Sequence, residues 1–203
     1  LFHVHGLFVA SHAALLAGAR TLMLPKFDAA QVLERLPRST VFMGVPTYYT
    51  RLLAEPTFDR ARCANMRLFI SGSAPLLAET HREFEQRTGH RILERYGMSE
   101  TVMLVSNPYL AAQGARIAGT VGVPLPGVDV RVVRDDGKAC AAGEVGNVEV
   151  RGPNVFAGYW RMPDKTAEEF RADGFFVTGD LGCVDDDGYL QIVGRGRDLI
   201  ISG

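Results

Sequence analysis

Cysteine is scarce in this chain: three in 203 residues, at positions 63, 140 and 183. Their odd number, wide spacing and lack of any CxxC pattern exclude a disulfide framework and a zinc knuckle. They fit ordinary thiols in a reducing compartment, so the expected location is the cytoplasm. Excess charge is lacking too. The formal net charge is -1 and no basic stripe is visible, which excludes a nucleic-acid polymer as partner. The most apolar run, residues 6–19, carries Ser11 and His12 and is too short to span a bilayer. No basic region precedes it, as a signal peptide would require. Repeats and low-complexity segments are absent. Asp185-Asp186-Asp187-Gly188 has no glutamate at the twelfth place of a calcium loop and reads as a solvated turn. The chain opens on Leu1 rather than methionine, and Phe2-His3-Val4-His5-Gly6 reads as the interior of something longer.

What is present is a core-forming composition, 47% hydrophobic, arranged in two textures. Residues 1–106 alternate helix and strand, which argues for a parallel sheet with helices on its faces. Residues 6–16 read as a buried helix and residues 20–24 as a short strand. Asp28 with Gln31 resembles a capping box opening a helix with Val32, Leu33 and Leu36 inward. Val41-Phe42-Met43 is a strand. Pro46 opens a helix with Tyr48, Leu52 and Leu53 on its apolar side. Leu68-Phe69-Ile70 and Ile92-Leu93 continue the sheet, with a helix from Leu77 to Thr88 ended by Gly89 between them. Beyond a boundary between Asn107 and Gly119, residues 107–196 carry short alternating strands and Asp-Gly turns. These predict a small antiparallel barrel or sheet.

Three loops carry chemistry. Ser71-Gly72-Ser73-Ala74-Pro75 leaves a strand and enters a helix, where small residues allow close approach to a ligand and free N–H groups are presented; a plain turn fits the same residues. Leu93-Glu94-Arg95-Tyr96-Gly97-Met98-Ser99-Glu100-Thr101 follows a strand. Its tyrosine offers a face for a nucleobase, its serine a phosphate donor and Glu100 a ligand for Mg²⁺. Two such loops meet at the carboxyl edge of one sheet, where ligands bind. Phe176-Val177-Thr178-Gly179-Asp180 sets an aspartate after a glycine turn. Its two oxygens suit a ribose diol, with Arg195 able to approach the same sugar or a phosphate; a turn aspartate and an exposed hairpin arginine are the plain alternatives.

Together, Phe2-His3-x-His5-Gly6, Ser71-Gly72-Ser73-Ala74-Pro75, Tyr96-Gly97-Met98-Ser99-Glu100, Gly158-Tyr159-Trp160, Thr178-Gly179-Asp180 and Gly194-Arg195-x-Arg197-Asp198 resemble, in order, the motifs of the adenylate-forming superfamily of acyl-CoA synthetases, luciferases and adenylation domains. The family usually has threonine where this chain has Ser99, which keeps the hydroxyl. Leu24-Pro25-Lys26-Phe27-Asp28, Met43-Gly44-Val45-Pro46-Thr47, Glu94-Arg95-Tyr96-Gly97 and the run from Asn154 to Pro163 are most similar to the malonyl-CoA synthetase branch.

The resemblance implies an α/β large domain completed by a β-barrel subdomain, with ATP, Mg²⁺ and coenzyme A as cofactor and co-substrates and a role in fatty acid metabolism. It implies that an acid is activated as its adenylate and then passed to the coenzyme A thiol. By the same resemblance His3 lies near the reacting carboxylate and the leaving pyrophosphate, with His5 orienting or packing. Gly72, Ser73, Ala74, Glu94, Arg95, Tyr96, Gly97 and Ser99 line the nucleotide, Glu100 holds the metal, Asp180 and Arg195 fix the ribose, and Asp198 is the hinge opening residues 197–203. His81 reads as an ordinary helix histidine. Arg95 stands where relatives have glycine at the wall of the acyl pocket. A buried guanidinium there rejects a greasy tail and pairs with a second carboxylate, unless it is spent on Glu94 or another acid. Arg51 is either a second clamp or an exposed helix residue. The implied substrate is malonate; methylmalonate, another short or medium-chain acid, or a non-catalytic AMP-binding role are the alternatives. A phosphate loop before Leu1 and a catalytic lysine after Gly203 are expected from the family.

Overall fold

A computed structural model describes residues 3–196; the expected hinge Asp198 lies outside the described residues. The chain begins with a π-helical stretch, His5–His12, running into α1 (Ala13–Leu16). The expectation that this helix is buried is corrected. Only His5 and Val9 are covered, while Leu15 is 70% and Leu16 90% exposed, because the described residues pack against one stripe alone. Residues 20–24 run on without joining a sheet. Then follow α2 (Ala29–Arg35), β1 (Val41–Gly44), α3 (Pro46–Leu53), β2 (Leu68–Ser71), α4 (Ala78–Thr88) and β3 (Leu93–Tyr96). Their ends are set by local chemistry. Asp28 caps α2 by accepting from the Gln31 N–H at 2.9 Å. Pro46 occupies the first turn of α3. Gly89, at φ +77°, takes the left-handed position after α4.

β1, β2 and β3 are parallel, as the β/α alternation predicts. β4 (Val105–Ser106) then adds antiparallel to β3, and β5 (Val123–Pro124) antiparallel to β4, so residues well past 106 still belong to the first sheet. β6 (Asp129–Val133), β7 (Gly146–Arg151), β8 (Phe176–Val184) and β9 (Leu190–Arg195) form a second, antiparallel sheet in that order, with α5 (Pro163–Glu169) between β7 and β8. The two sheets are stitched by the Leu190 N–H donating to Gly122 O at 2.7 Å and the Val121 N–H donating to Leu190 O at 2.8 Å.

Two cores result. One packs α2, α3 and α4 on the parallel strands around Phe58, Phe69, Phe84 and Tyr49. Tyr49, not its neighbour Tyr48, is the fully buried tyrosine of α3; its hydroxyl donates to Ile70 O at 2.6 Å. The second core joins Leu104, Val105 and Val121 to Val132, Val148, Val150, Phe176 and Leu190, which fastens the β-rich part to the edge of the first sheet. None of the described helices is long and apolar enough to cross a membrane.

Candidate active site

The carboxyl end of β3 separates two groups of side chains. Side chains alternate along a strand, so Glu94 and Arg95 leave on opposite faces. On the Arg95 face lie His5, Gly72 and Ser73. The loop after β2 passes so close to His5 that a Cβ built on Gly72 would sit 3.0 Å from His5 Nδ1 and 3.3 Å from Arg95 O. Only glycine fits there without displacing the imidazole. Ser73, at φ +70°, places its Oγ 3.3 Å from His5 Nδ1. The buried Arg95 Nε and Nη2 and His5 Nε2 have no hydrogen-bond partner among the described residues. Burial, and then the Arg95 charge, hold the His5 pKa below its usual value. Burial also lowers that of Arg95.

The second group surrounds Tyr96. Its hydroxyl donates to Asp180 Oδ2 at 2.5 Å, and Arg195 Nε lies 3.2 Å from Asp180 Oδ1. Asp180 is 5% exposed, and burial raises its pKa against the pull of Tyr96 and Arg195. Thr178 fixes the turn of backbone there, accepting from the Asp180 N–H at 3.1 Å and donating to Val148 O at 2.8 Å. Asp180 thus stands inside the long strand β8, where Gly179 at φ +76° admits the kink. The loop after Tyr96 folds tightly back. A Cβ on Gly97 would meet Val102 O at 2.0 Å, so the glycine is required by backbone approach. Asn154 clamps this loop by donating to Thr101 O at 2.8 Å and Met103 O at 2.6 Å, and the Phe156 N–H donates to Glu100 O at 2.7 Å. The Tyr159 hydroxyl donates to Glu100 Oε1 at 3.3 Å.

The structure therefore brings Tyr96, Gly97, Glu100, Asp180 and Arg195 together, and separately Arg95, Gly72 and Ser73. Ser99 and Ala74 are exposed on the rims of their loops. His3 is exposed, and it is His5 that sits against Gly72, Ser73 and Arg95. The doublet of histidines two apart was the visible signal; which one turns inward is a matter of helix phase. Arg51 is exposed on α3, its guanidinium 4.7 Å from the centre of the Phe27 ring. The Glu94–Arg95 ion pair is not formed. Glu94 is 4% exposed, with Oε1 3.4 Å from Nδ1 of the 1% exposed His81. Burial raises the Glu94 pKa, opposed by His81 and by hydrogen bonds from the backbone of Leu76 and Gly119.

Among the described residues no three His, Cys, Asp or Glu side chains gather as a metal cage. Glu100, half-buried and engaging one oxygen with Tyr159, fits the single carboxylate that Mg²⁺ needs when phosphates supply its other ligands.

A family model described as AMP-binding enzyme matches residues 1–160. ATP-bound MatB from Rhodopseudomonas palustris superposes with a TM-score of 0.93 at 57% identity, over 98% of this chain and 39% of its own. A malonyl-CoA ligase structure carrying methylmalonyl-CoA and AMP gives a TM-score of 0.85 at 43% identity, over 96% of this chain and 42% of its own. The malonate–CoA ligase of Arabidopsis thaliana is 44% identical over 96% of this chain and 34% of its length. The chain thus spans about a third to two fifths of the relatives it matches.

Proposed function

The chain belongs to the AMP-binding enzyme family, and from that premise we propose that it is the core of a malonate–CoA ligase working in the cytoplasm. The malonate carboxylate attacks the α-phosphate of ATP, forming malonyl-adenylate and releasing pyrophosphate. The coenzyme A thiol then attacks the acyl carbon, its proton is lost, and AMP leaves. A carboxylate is ionised at neutral pH, so the first step needs alignment and charge relief rather than a base. Tyr96 offers its ring to adenine, beside Gly72, Ala74 and Gly97. Asp180 and Arg195 take the ribose, and Ser99 donates to phosphate. Glu100 would hold Mg²⁺, which supplies neutralisation of phosphate charge. Residues 1–106 contribute the acyl and nucleotide sites and 107–196 the ribose side.

The observation that carries the reading is Arg95: a half-buried side chain whose Nε and Nη2 are buried and unpaired, with no carboxylate paired to it, among the described residues. Such a group waits for a second, non-reacting carboxylate. His5 and Ser73 stand on the same side, and Arg51 on α3 is proposed as a further clamp. His3, at the exposed rim, is left to the reacting end. Charge-assisted hydrogen bonds contribute about 1.5–3 kcal/mol each. In the complete polypeptide, Arg95→Gly should therefore lower kcat/KM for malonate about 100-fold or more while leaving butyrate unchanged or improved. Equal loss on both acids removes Arg95 from the pocket. Methylmalonate is the second acid to assay, because a 43%-identical structure carries methylmalonyl-CoA.

A further inference from the structure

Glu94 and His81 form a buried pair that the chemistry above does not use. β3 meets β2 in a register that sets Glu94 opposite Ser71, the first residue of the loop carrying Gly72 and Ser73. The Glu94 carboxylate also receives the backbone N–H of Leu76, where that loop ends, and that of Gly119 on a third loop. One residue thus holds both ends of the 71–76 loop. Its own carbonyl accepts from the Asn107 N–H at 2.9 Å. The Asn107 side chain in turn donates to Thr120 O at 2.8 Å and accepts from the Ile117 N–H at 3.0 Å. His81, on α4, approaches the carboxylate from beneath at 3.4 Å. Burial raises the Glu94 pKa, and these donors oppose that rise.

We propose that Glu94, kept in place by His81, is a positioning residue: it locks the 71–76 and 117–120 loops onto β3 and so sets Gly72 and Ser73 against His5 and Arg95. The effect is local because the ribose side, Asp180 and Arg195, hangs on β8 and β9. The substrate named in the second readout rests on the malonate reading; the first readout needs no substrate.

The first test is amide hydrogen exchange of the protein with His81→Leu, which keeps bulk and removes the donor. Exchange in residues 71–76 and 117–120 should quicken at least 10-fold, with β6–β8 unaltered. His81→Gln, which can still donate, should stay within about 3-fold of the parent. If His81→Leu does not fold, Glu94→Gln carries the same expectation. In the complete polypeptide the loosened variants should raise the KM for malonate 10-fold or more and, because Gly72 and Ala74 of the same loop stand beside adenine, the KM for ATP as well. Unaltered loops, or acceleration spread evenly over the chain, overturn the proposal. A parent enzyme inert toward malonate overturns the substrate reading instead, and the exchange result still decides the role of Glu94.

Discussion

Replacing Tyr96 by phenylalanine isolates the link between the two sheets. The ring stays, so no cavity forms; the hydroxyl that donates to Asp180 Oδ2 at 2.5 Å is lost. Asp180 is 5% exposed, so water cannot readily replace that donor, and among the described residues Arg195, at 3.2 Å from Oδ1, is the side chain that remains. Leaving a buried acceptor short of a partner costs about 1–3 kcal/mol. For a chain of this length each kcal/mol moves the melting temperature by about 2–4 °C, so the expected loss is about 2–12 °C. The sign with pH follows from burial, which already raises the Asp180 pKa with a contribution from the Glu100 charge. Removing the hydroxyl raises it further. The native state then holds its proton to higher pH than the unfolded chain, and the penalty grows as pH rises above the ordinary aspartate range. Melting curves at pH 5 and pH 8 read this directly. Saturating AMP supplies two ribose hydroxyls to the same carboxylate, so it should stabilise Tyr96→Phe more than the parent. A variant melting within 1 °C of the parent at both pH values, or an identical AMP shift in the two proteins, refutes the reasoning.

Burial and the Arg95 charge lower the His5 pKa, so the native state binds fewer protons than the unfolded chain. Stability should decline as pH falls through 6.5, the ordinary histidine value. Urea midpoints at pH 7, 6 and 5 should show this decline flattened in His5→Gln; equal slopes would put the ring in solvent. In the second sheet Glu149 is 1% exposed between Arg131 Nε at 2.8 Å and Arg171 Nε at 2.7 Å. Arg131→Ala or Arg171→Ala alone leaves one cation in place and should cost about 1 kcal/mol. The double substitution strands a buried charge and should cost about 3–5 kcal/mol. Strict additivity in that cycle would show that the two arginines do not share the carboxylate.

Much of the first sheet was legible in the residues. Asp28, Pro46 and Gly89 act within a few positions of themselves, so the ends of α2, α3 and α4 follow from local hydrogen bonding and φ preference. The β/α alternation gave the parallel strands for the same reason: each segment's period is local. The helix 5–16 misled because a segment apolar all round predicts burial only if partners exist for every face, and composition does not say which faces are met. β8 was hidden because Gly179 and Asp180 read as a turn, whereas cross-strand pairing to β7 and β9 carries the strand through the kink.

The sequence by itself determined the inventory of the site: a tyrosine and a glycine after a strand, a small-residue loop, an aspartate after a glycine, an arginine before the tyrosine. Those are covalent neighbours, and their spacing needs no tertiary contact to be read. Only the tertiary structure decided the partners. It turned His5 rather than His3 toward Arg95, gave Glu94 to His81 and left Arg95 Nε and Nη2 without a partner among the described residues. Those outcomes depend on strand alternation, helix phase and sheet register, which join residues as far apart as Tyr96 and Asp180 and have no signature in either stretch alone.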